Sequence, residues 1–314
     1  MQLQTQITLE KQSNKQIDYN SSILLFGSCF SENIGDKFKY FKFQSTVNPF
    51  GVLFHPLAIE TLIYNAVHKV EYSEKDIFFN NEQWHCFDAH SRLSHVSKEK
   101  LLDNLNGQIK STNQQINEST HIIITLGTAW VYRFLETNKI VANCHKIPQK
   151  RFSKELLTVN DIVKSLENIK ALIKKSNPKT TLIFTVSPVR HLKDGFIENT
   201  QSKAHLITAI HSILNNDVFY FPSYEIVMDE LRDYRFYADD MVHPNTLAID
   251  YIWEKFKFVW ISDSAFKIMD EVDVIQKGLQ HKPFNPNSEA HKAFLKNLAV
   301  KQLQLQSRFP HMVF

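Results

Sequence analysis

The run His121-Ile122-Ile123-Ile124-Thr125-Leu126, closed by Gly127, constrains the fold more than any other stretch of the chain. Its centre is continuously apolar and β-branched, which suits a strand covered on both faces rather than one with a wet side. Residues 22–26, 181–186 and 218–221 repeat the pattern, and residues 43–46 read as a further short strand. Helical patterns fall between them: 31–40 with Ser31 as its cap, the segment through Leu57, Ile59, Leu62 and Ile63, then 98–116, 158–175, 200–214, a short helix at 224–231, and 246–260. Strands alternating with helices predict a mostly parallel sheet between two helical layers, a three-layer α/β/α fold. Residues 77–95 and a hairpin formed by 131–137 with 139–141 are expected to elaborate that frame. Beyond residue 261 no strand signal appears, so the chain divides into a main domain, 1–261, and a helical C-terminal extension, 262–314. Phe294, Leu298 and Leu305 are expected to form the buried stripe of a helix over 288–306 that docks back on the main domain.

Lys and Arg number 36 against 33 Asp and Glu, leaving a net charge of +3, and no run of five or more like charges occurs. A nucleic-acid partner is therefore not expected. The three cysteines, Cys29, Cys86 and Cys144, are odd in number and far apart, which argues for free thiols in a reducing compartment. The polar start MQLQTQITLEKQSNKQ has no apolar signal core, and no apolar run reaches membrane-spanning length, so a cytoplasmic chain without a membrane partner is expected. The oligomeric state is not legible from these residues.

In open parallel sheets the chemistry collects at the carboxyl ends of the strands. Ser28, Gly127 and Ser187-Pro188-Val189-Arg190 all stand just past strand ends. A serine opening a helix can be a nucleophile if a base takes its proton, or a plain helix cap. Cys29 is the rival nucleophile, but neighbouring side chains in extended chain point to opposite faces, and a buried structural thiol is the expected outcome. Asp240 and His243, three apart, can place a carboxylate under one imidazole nitrogen and leave the other free as base; they can equally be an ordinary loop acid and a half-buried histidine. Pro244 is expected at the first position of the following helix.

Taken in order, Gly27-Ser28-Cys29-Phe30-Ser31-Glu32, Asn48-Pro49-Phe50-Gly51, Gly127-Thr128-Ala129-Trp130, Val141-Ala142-Asn143-Cys144-His145-Lys146, Ser187-Pro188-Val189-Arg190-His191 and Asp240-Met241-Val242-His243-Pro244 resemble the GSCFA family. That family is similar to the SGNH (GDSL-like) hydrolases. Ser31 stands where the name motif has Ala. The resemblance implies an SGNH-like fold, Ser28 as nucleophile, and Asp240 with His243 as the orienting acid and base. It also implies an oxyanion hole from the backbone N–H groups of Ser28 and Gly51. The third block departs from the SGNH pattern Gly-x-Asn, because Ala129 occupies the amide's position. Losing one such donor costs about 10²- to 10³-fold in rate, so Thr128 Oγ1, or Asn48, is expected to substitute.

The chemistry expected is that of a serine esterase or acyl hydrolase, acting without a cofactor on a small-molecule or carbohydrate ester such as an acetylated sugar. Two alternatives stand beside it: a carbohydrate- or acyl-binding module that has lost turnover, favoured by Ala129, and acyl transfer to a sugar hydroxyl. Asn48, His90, His145, Arg190 and His191 are the expected substrate-binding residues. Neither Trp84–His90 nor Asn143–Lys146 has zinc-ligand spacing, so no metal is expected.

Overall fold

Along β1 (Ser22–Gly27) the side chains of Ile23 and Leu25 enter one apolar cluster and those of Leu24 and Phe26 another, as the two-residue period of a strand requires. A computed structural model describes residues 5–314. The remaining sheet strands are β2 (Gln44–Val47), β5 (His121–Leu126), β9 (Thr181–Val186) and β10 (Val218–Phe221). They lie in the order β10-β9-β5-β1-β2, every pair parallel. All six residues of β5 and of β9 are buried, as the unbroken apolar runs imply.

The first cluster unites Leu24, Phe26, Ile122, Ile124, Leu182 and Phe184 with helices α2 (Pro56–His68), α3 (Lys98–Glu118), α4 (Val159–Ser176) and α5 (Phe196–Ile213). The second unites Ile23, Leu25, Ile123 and Ile183 with α1 (Cys29–Tyr40), α7 (Thr246–Trp260), α8 (Asp263–Gln280) and α9 (Glu289–Arg308). A single turn, α6 (Ser223–Glu225), runs into a π-helical turn, Ile226–Glu230. The result is a three-layer α/β/α domain with C-terminal helices on one face.

The elaboration contains two small antiparallel sheets. The hairpin of β3 (Ile77–Asn80) and β4 (Gln83–Cys86) turns through Asn81 and Glu82, both at positive φ, as a two-residue connection of right-handed twist demands. The other sheet is β7-β6-β8, built from β6 (Trp130–Phe134), β7 (Lys139–Val141) and β8 (Phe152–Leu156). The strand β8 was not expected; its sequence, Phe-Ser-Lys-Glu-Leu, is too polar to signal one.

Helix α5 begins at Phe196, four residues earlier than expected, and three further details differ. Helix α1 begins at Cys29, capped by Ser28, and Ser31 lies within it with its hydroxyl donated to the Phe26 carbonyl at 3.0 Å. Helix α7 is capped by Asn245, whose side chain accepts from Ala248 N, so Pro244 precedes the helix instead of starting it. In α9, Leu298 and Leu305 are buried while Phe294 stays exposed.

Candidate active site

Counting only the sheet strands, the order is 2-1-3-4-5, and the crevice between β1 and β5 is where the winding reverses. Ser28 follows one of those strands and Gly127 the other. The approach of the two chains is close. A Cβ on Gly27, which sits at φ +131°, would lie 2.1 Å from the Thr125 carbonyl oxygen, so only glycine ends β1 here. Gly27 N donates to Asn48 Oδ1 at 2.8 Å, and its carbonyl accepts from Leu53 N at 2.9 Å. Ser28 N–H donates to the Thr125 carbonyl at 3.1 Å, while Ser28 Oγ accepts from Phe30 N at 3.3 Å. The serine has no solvent-exposed surface. Its neighbour Cys29 is only partly buried, against the expectation of an enclosed thiol, and that burial with the nearby Glu32 charge raises its pKa.

The Asn48–Gly51 segment is a tight turn closed by Gly51 N donating to the Asn48 carbonyl at 2.8 Å. Asn48 has φ +43° and Gly51 φ +74°. The Asn48 carboxamide is buried, and its Nδ2 donor has no hydrogen-bond partner. His90 lies over this turn: a Cβ on Gly51 would meet the His90 Cβ at 2.4 Å, and His90 N donates to the Phe50 carbonyl.

Gly127 N and Thr128 N both donate to the Phe54 carbonyl, at 2.7 and 3.1 Å. Thr128 Oγ1 accepts from Trp130 N at 3.0 Å and shares a hydrogen bond with Ser202 Oγ at 3.1 Å. Ala129 is wholly buried in the first apolar cluster. Thr128 Oγ1 is thus committed to its own turn through Trp130 N and to α5 through Ser202, which satisfies these polar groups away from water.

Asp240 and His243 meet as the spacing suggested. Asp240 Oδ2 lies 2.6 Å from His243 Nδ1, and Oδ1 accepts from the backbone N–H groups of Val242 and His243 at 2.9 Å each. Those backbone donors, then the imidazole, hold the Asp240 carboxyl at about 2, so it is ionised at every neutral pH. The pair is half-exposed, and among the described residues no hydrogen bond joins His243 to Ser28.

Arg190 turns toward that loop. Its N–H donates to the Val242 carbonyl, its guanidinium donates to the Met241 carbonyl and lies over the Tyr237 ring at 4.4 Å. The expected substrate contact is thus a loop clamp, a guanidinium fork being well suited to hold carbonyls and stack on a ring. His191 is packed edge-on to Phe54 with its Nε2 unpartnered. Burial, then the nearby Lys203 and the His243 imidazole, push its pKa down to about 3, so it is neutral.

His145 does not join the site. Its ring is buried in the elaborating sheets, with Nε2 2.7 Å from the Cys86 carbonyl and its centroid 4.7 Å from that of His85. Burial holds its pKa at about 4, which fits a neutral packing residue rather than a pocket wall. Among the described residues no group of three or more His, Cys, Asp or Glu could hold a metal ion, and no helix is long and apolar enough to cross a membrane.

Lys203 was missed at the sequence level. It is fully buried in α5 and donates from Nζ to the carbonyls of Gly127 at 2.8 Å and Ser187 at 2.7 Å, tying together the ends of β5 and β9. A signal existed: Lys203 stands on the face of α5 that buries Leu206 and Ile210, where a lysine needs polar partners to be tolerated.

The GSCFA family's sequence profile matches residues 22–256. The chain belongs to the GSCFA family. Residues 272–314 match the profile of the GSCFA domain protein C-terminal domain, so both parts of this GSCFA protein have counterparts in the family. No curated protein matches it. Among solved structures it is similar to an acetyl xylan esterase from the rumen bacterium Butyrivibrio proteoclasticus, with 10% identity and a TM-score of 0.41. The match covers 83% of this chain and 65% of that esterase. It is also similar to a carbohydrate esterase family 3 structure from Talaromyces cellulolyticus, with 12% identity, a TM-score of 0.32, and coverage of 81% and 99%. At that level the likeness says nothing of substrate.

Proposed function

We propose that this GSCFA protein is a serine hydrolase of ester bonds, with Ser28 as nucleophile, His243 as base and Asp240 as the acid that orients it. The observation that carries the reading is the Asp240–His243 pair. A carboxylate held ionised by two backbone N–H groups fixes the proton on Nδ1 and leaves Nε2 as the nitrogen able to take a proton. In the reaction Ser28 Oγ attacks the acyl carbon, its proton passes to His243 Nε2, and the departing alcohol collects that proton. Water then repeats the sequence on the acyl-serine and releases the acid.

Ser28 is enclosed and already bonded as a helix cap, so attack requires its hydroxyl to be freed from Phe30 N and uncovered to the ester. The N–H groups of Ser28 and Gly51 each have an acceptor, Thr125 and Asn48, and Thr128 Oγ1 is committed to Trp130 N and Ser202 Oγ. Asn48 Nδ2 is the buried donor without one, and leaving such a donor unmet costs about 1–3 kcal/mol. An oxyanion beside Ser28 would satisfy it. In this reading Asn48 supplies what the third block lacks. Acetylated sugars are the first substrates to try, and added alcohols that divert the acyl group would redirect the reading to acyl transfer.

The test is fluorophosphonate labelling of the purified protein, located by mass spectrometry, with a Ser28→Ala control. Label on the Ser28 peptide, absent from the control, is the expected result. Ser28→Ala and His243→Ala should lower ester hydrolysis to similar extents and Asp240→Ala less, since the three act as one unit. No label on folded protein overturns the reading in favour of a binding module, for which the enclosure of Ser28 is the supporting observation, and full activity in Ser28→Ala overturns Ser28 as the nucleophile.

A further inference from the structure

A cavity of about 650 Å³ opens beside the first turn of α1 and runs along that helix to the C-terminal segment. Glu32 and Arg92 stand at the near end, paired through two hydrogen bonds of 2.8 and 3.3 Å. With a rise of about 1.5 Å per residue, Glu32 lies about 6 Å along the helix from Ser28 and Lys39 about 16 Å. The floor is β2, an edge strand of the sheet, whose outer backbone groups have no partner strand. Gly35 lets the helix lie directly on that floor, since a Cβ there would come within 2.4 Å of Val47 Cγ2.

The far end is cationic. Lys39 and Lys42 both line it, and among the described residues neither forms a salt bridge. Burial and the Lys39 charge lower the pKa of Lys42, as expected where two ammonium groups share a space. Besides the paired Glu32, Asp36 is the lining carboxylate, one against two lysines. The far wall comes from the last residues of the chain. The His311 ring lies beside the backbone of Lys42, and the Lys42 ammonium lies 5.2 Å from the centre of the Phe314 ring.

We propose that this cavity is the subsite for the part of the substrate beyond the scissile ester, and that it takes an anionic, hydroxyl-rich chain, an acylated acidic oligosaccharide whose carboxylate meets Lys39 and Lys42. The inference rests on the ester-hydrolase reading for the position of the scissile bond. Ser45, the Glu32–Arg92 pair and the open edge of β2 offer donors and acceptors to hydroxyl groups, and the two lysines offer charge-assisted bonds to a carboxylate. The C-terminal segment would then have a binding duty: it closes the groove and holds Lys42 in place.

The experiment uses the full chain and two measurements. Isothermal titration with trigalacturonate, beside neutral xylotriose, reads the groove without requiring turnover. The wild-type protein should bind the acidic trimer more tightly than the neutral one, and the double variant Lys39→Gln, Lys42→Asn should bind it about tenfold more weakly or worse. Asn is chosen at position 42 because the backbone there has φ +61°. Hydrolysis of p-nitrophenyl acetate, which is too small to reach the lysines, should be unchanged in the double variant, while KM for an acetylated oligogalacturonate rises by a similar factor. Ser45→Trp, which fills the floor, should reproduce the loss. Failure of the wild-type protein to bind the acidic trimer, equal binding of both trimers, or unchanged binding in both variants overturns the subsite. Trimer binding without any p-nitrophenyl acetate turnover overturns the hydrolase reading while leaving the groove in place.

Discussion

Asn48 carries two duties that can be separated chemically. Its Oδ1 accepts from Gly27 N and shapes the end of β1, whereas its Nδ2 has no partner and is available to an oxyanion. Asn48→Asp keeps the acceptor, removes the donor and places a carboxylate in its stead, so kcat for ester hydrolysis should fall by at least about 10²- to 10³-fold, with a lower thermal midpoint from the buried charge. Unchanged kcat would return the oxyanion to the backbone donors. Lys203 is the residue whose ionisation bears on stability. Burial lowers its pKa to about 7 from the ordinary 10.5, so the unfolded chain binds more protons than the folded one between those values. Stability attributable to this group therefore rises with pH from about 7 to 10.5 and is lowest below 7, where both states carry the charge. In Lys203→Met that slope should vanish, which urea midpoints at several pH values for both proteins will read.

At the scale of elements, the loop 234–243 and the strand end that faces it behave as a unit. Arg190, just past β9, donates to the carbonyls of Met241 and Val242 and covers Tyr237, so it fixes the segment that presents His243. Met241 is held at φ +58°, a conformation that costs free energy for a side chain of its kind and persists because the loop is tied on both sides of it. Arg190→Lys keeps the charge but loses the planar fork and the ring contact. The expected outcome is a kcat lower by about 10- to 100-fold with little change in KM, and an altered His243 imidazole resonance in NMR. A resonance and a kcat both equal to wild type would mean that the loop holds itself. The small sheet β7-β6-β8 is built by the same logic of local satisfaction: Leu157 N donates to the Ala129 carbonyl, and Ala129 N donates to Ser202 Oγ, so the turn after β5 is locked on both sides.

For the whole molecule, the C-terminal helices are part of the second apolar cluster rather than an appendage. Leu298, Leu305 and Met312 bury against the face that holds Phe38, Trp253 and Phe256. Deleting residues 281–314 should lower the urea midpoint, each lost burial contributing about 1.5–3 kcal/mol as an upper value; an unchanged midpoint would mean that α9 packs without stabilising. Periodicity alone was enough to set the parallel sheet and its two helical layers, because β5 and β9 read as strands wet on neither face and α4 as a one-sided helix. The i, i+3 pair Asp240–His243 was legible for the same reason, its geometry being local. The ordered motifs that run from Gly27 to Pro244 were enough to indicate the family. What the sequence could not disclose was everything set by which backbone donors meet which carbonyls across the crevice. The N–H groups of Ser28, Gly51, Gly127 and Thr128 find acceptors in segments far away in sequence or in their own turns, Arg190 becomes a clamp, His145 a packing residue, and Lys203 a buried tie. Hydrophobic periodicity is a property of neighbours along the chain, whereas the satisfaction of buried polar groups is decided only when β1, β5 and β9 lie side by side.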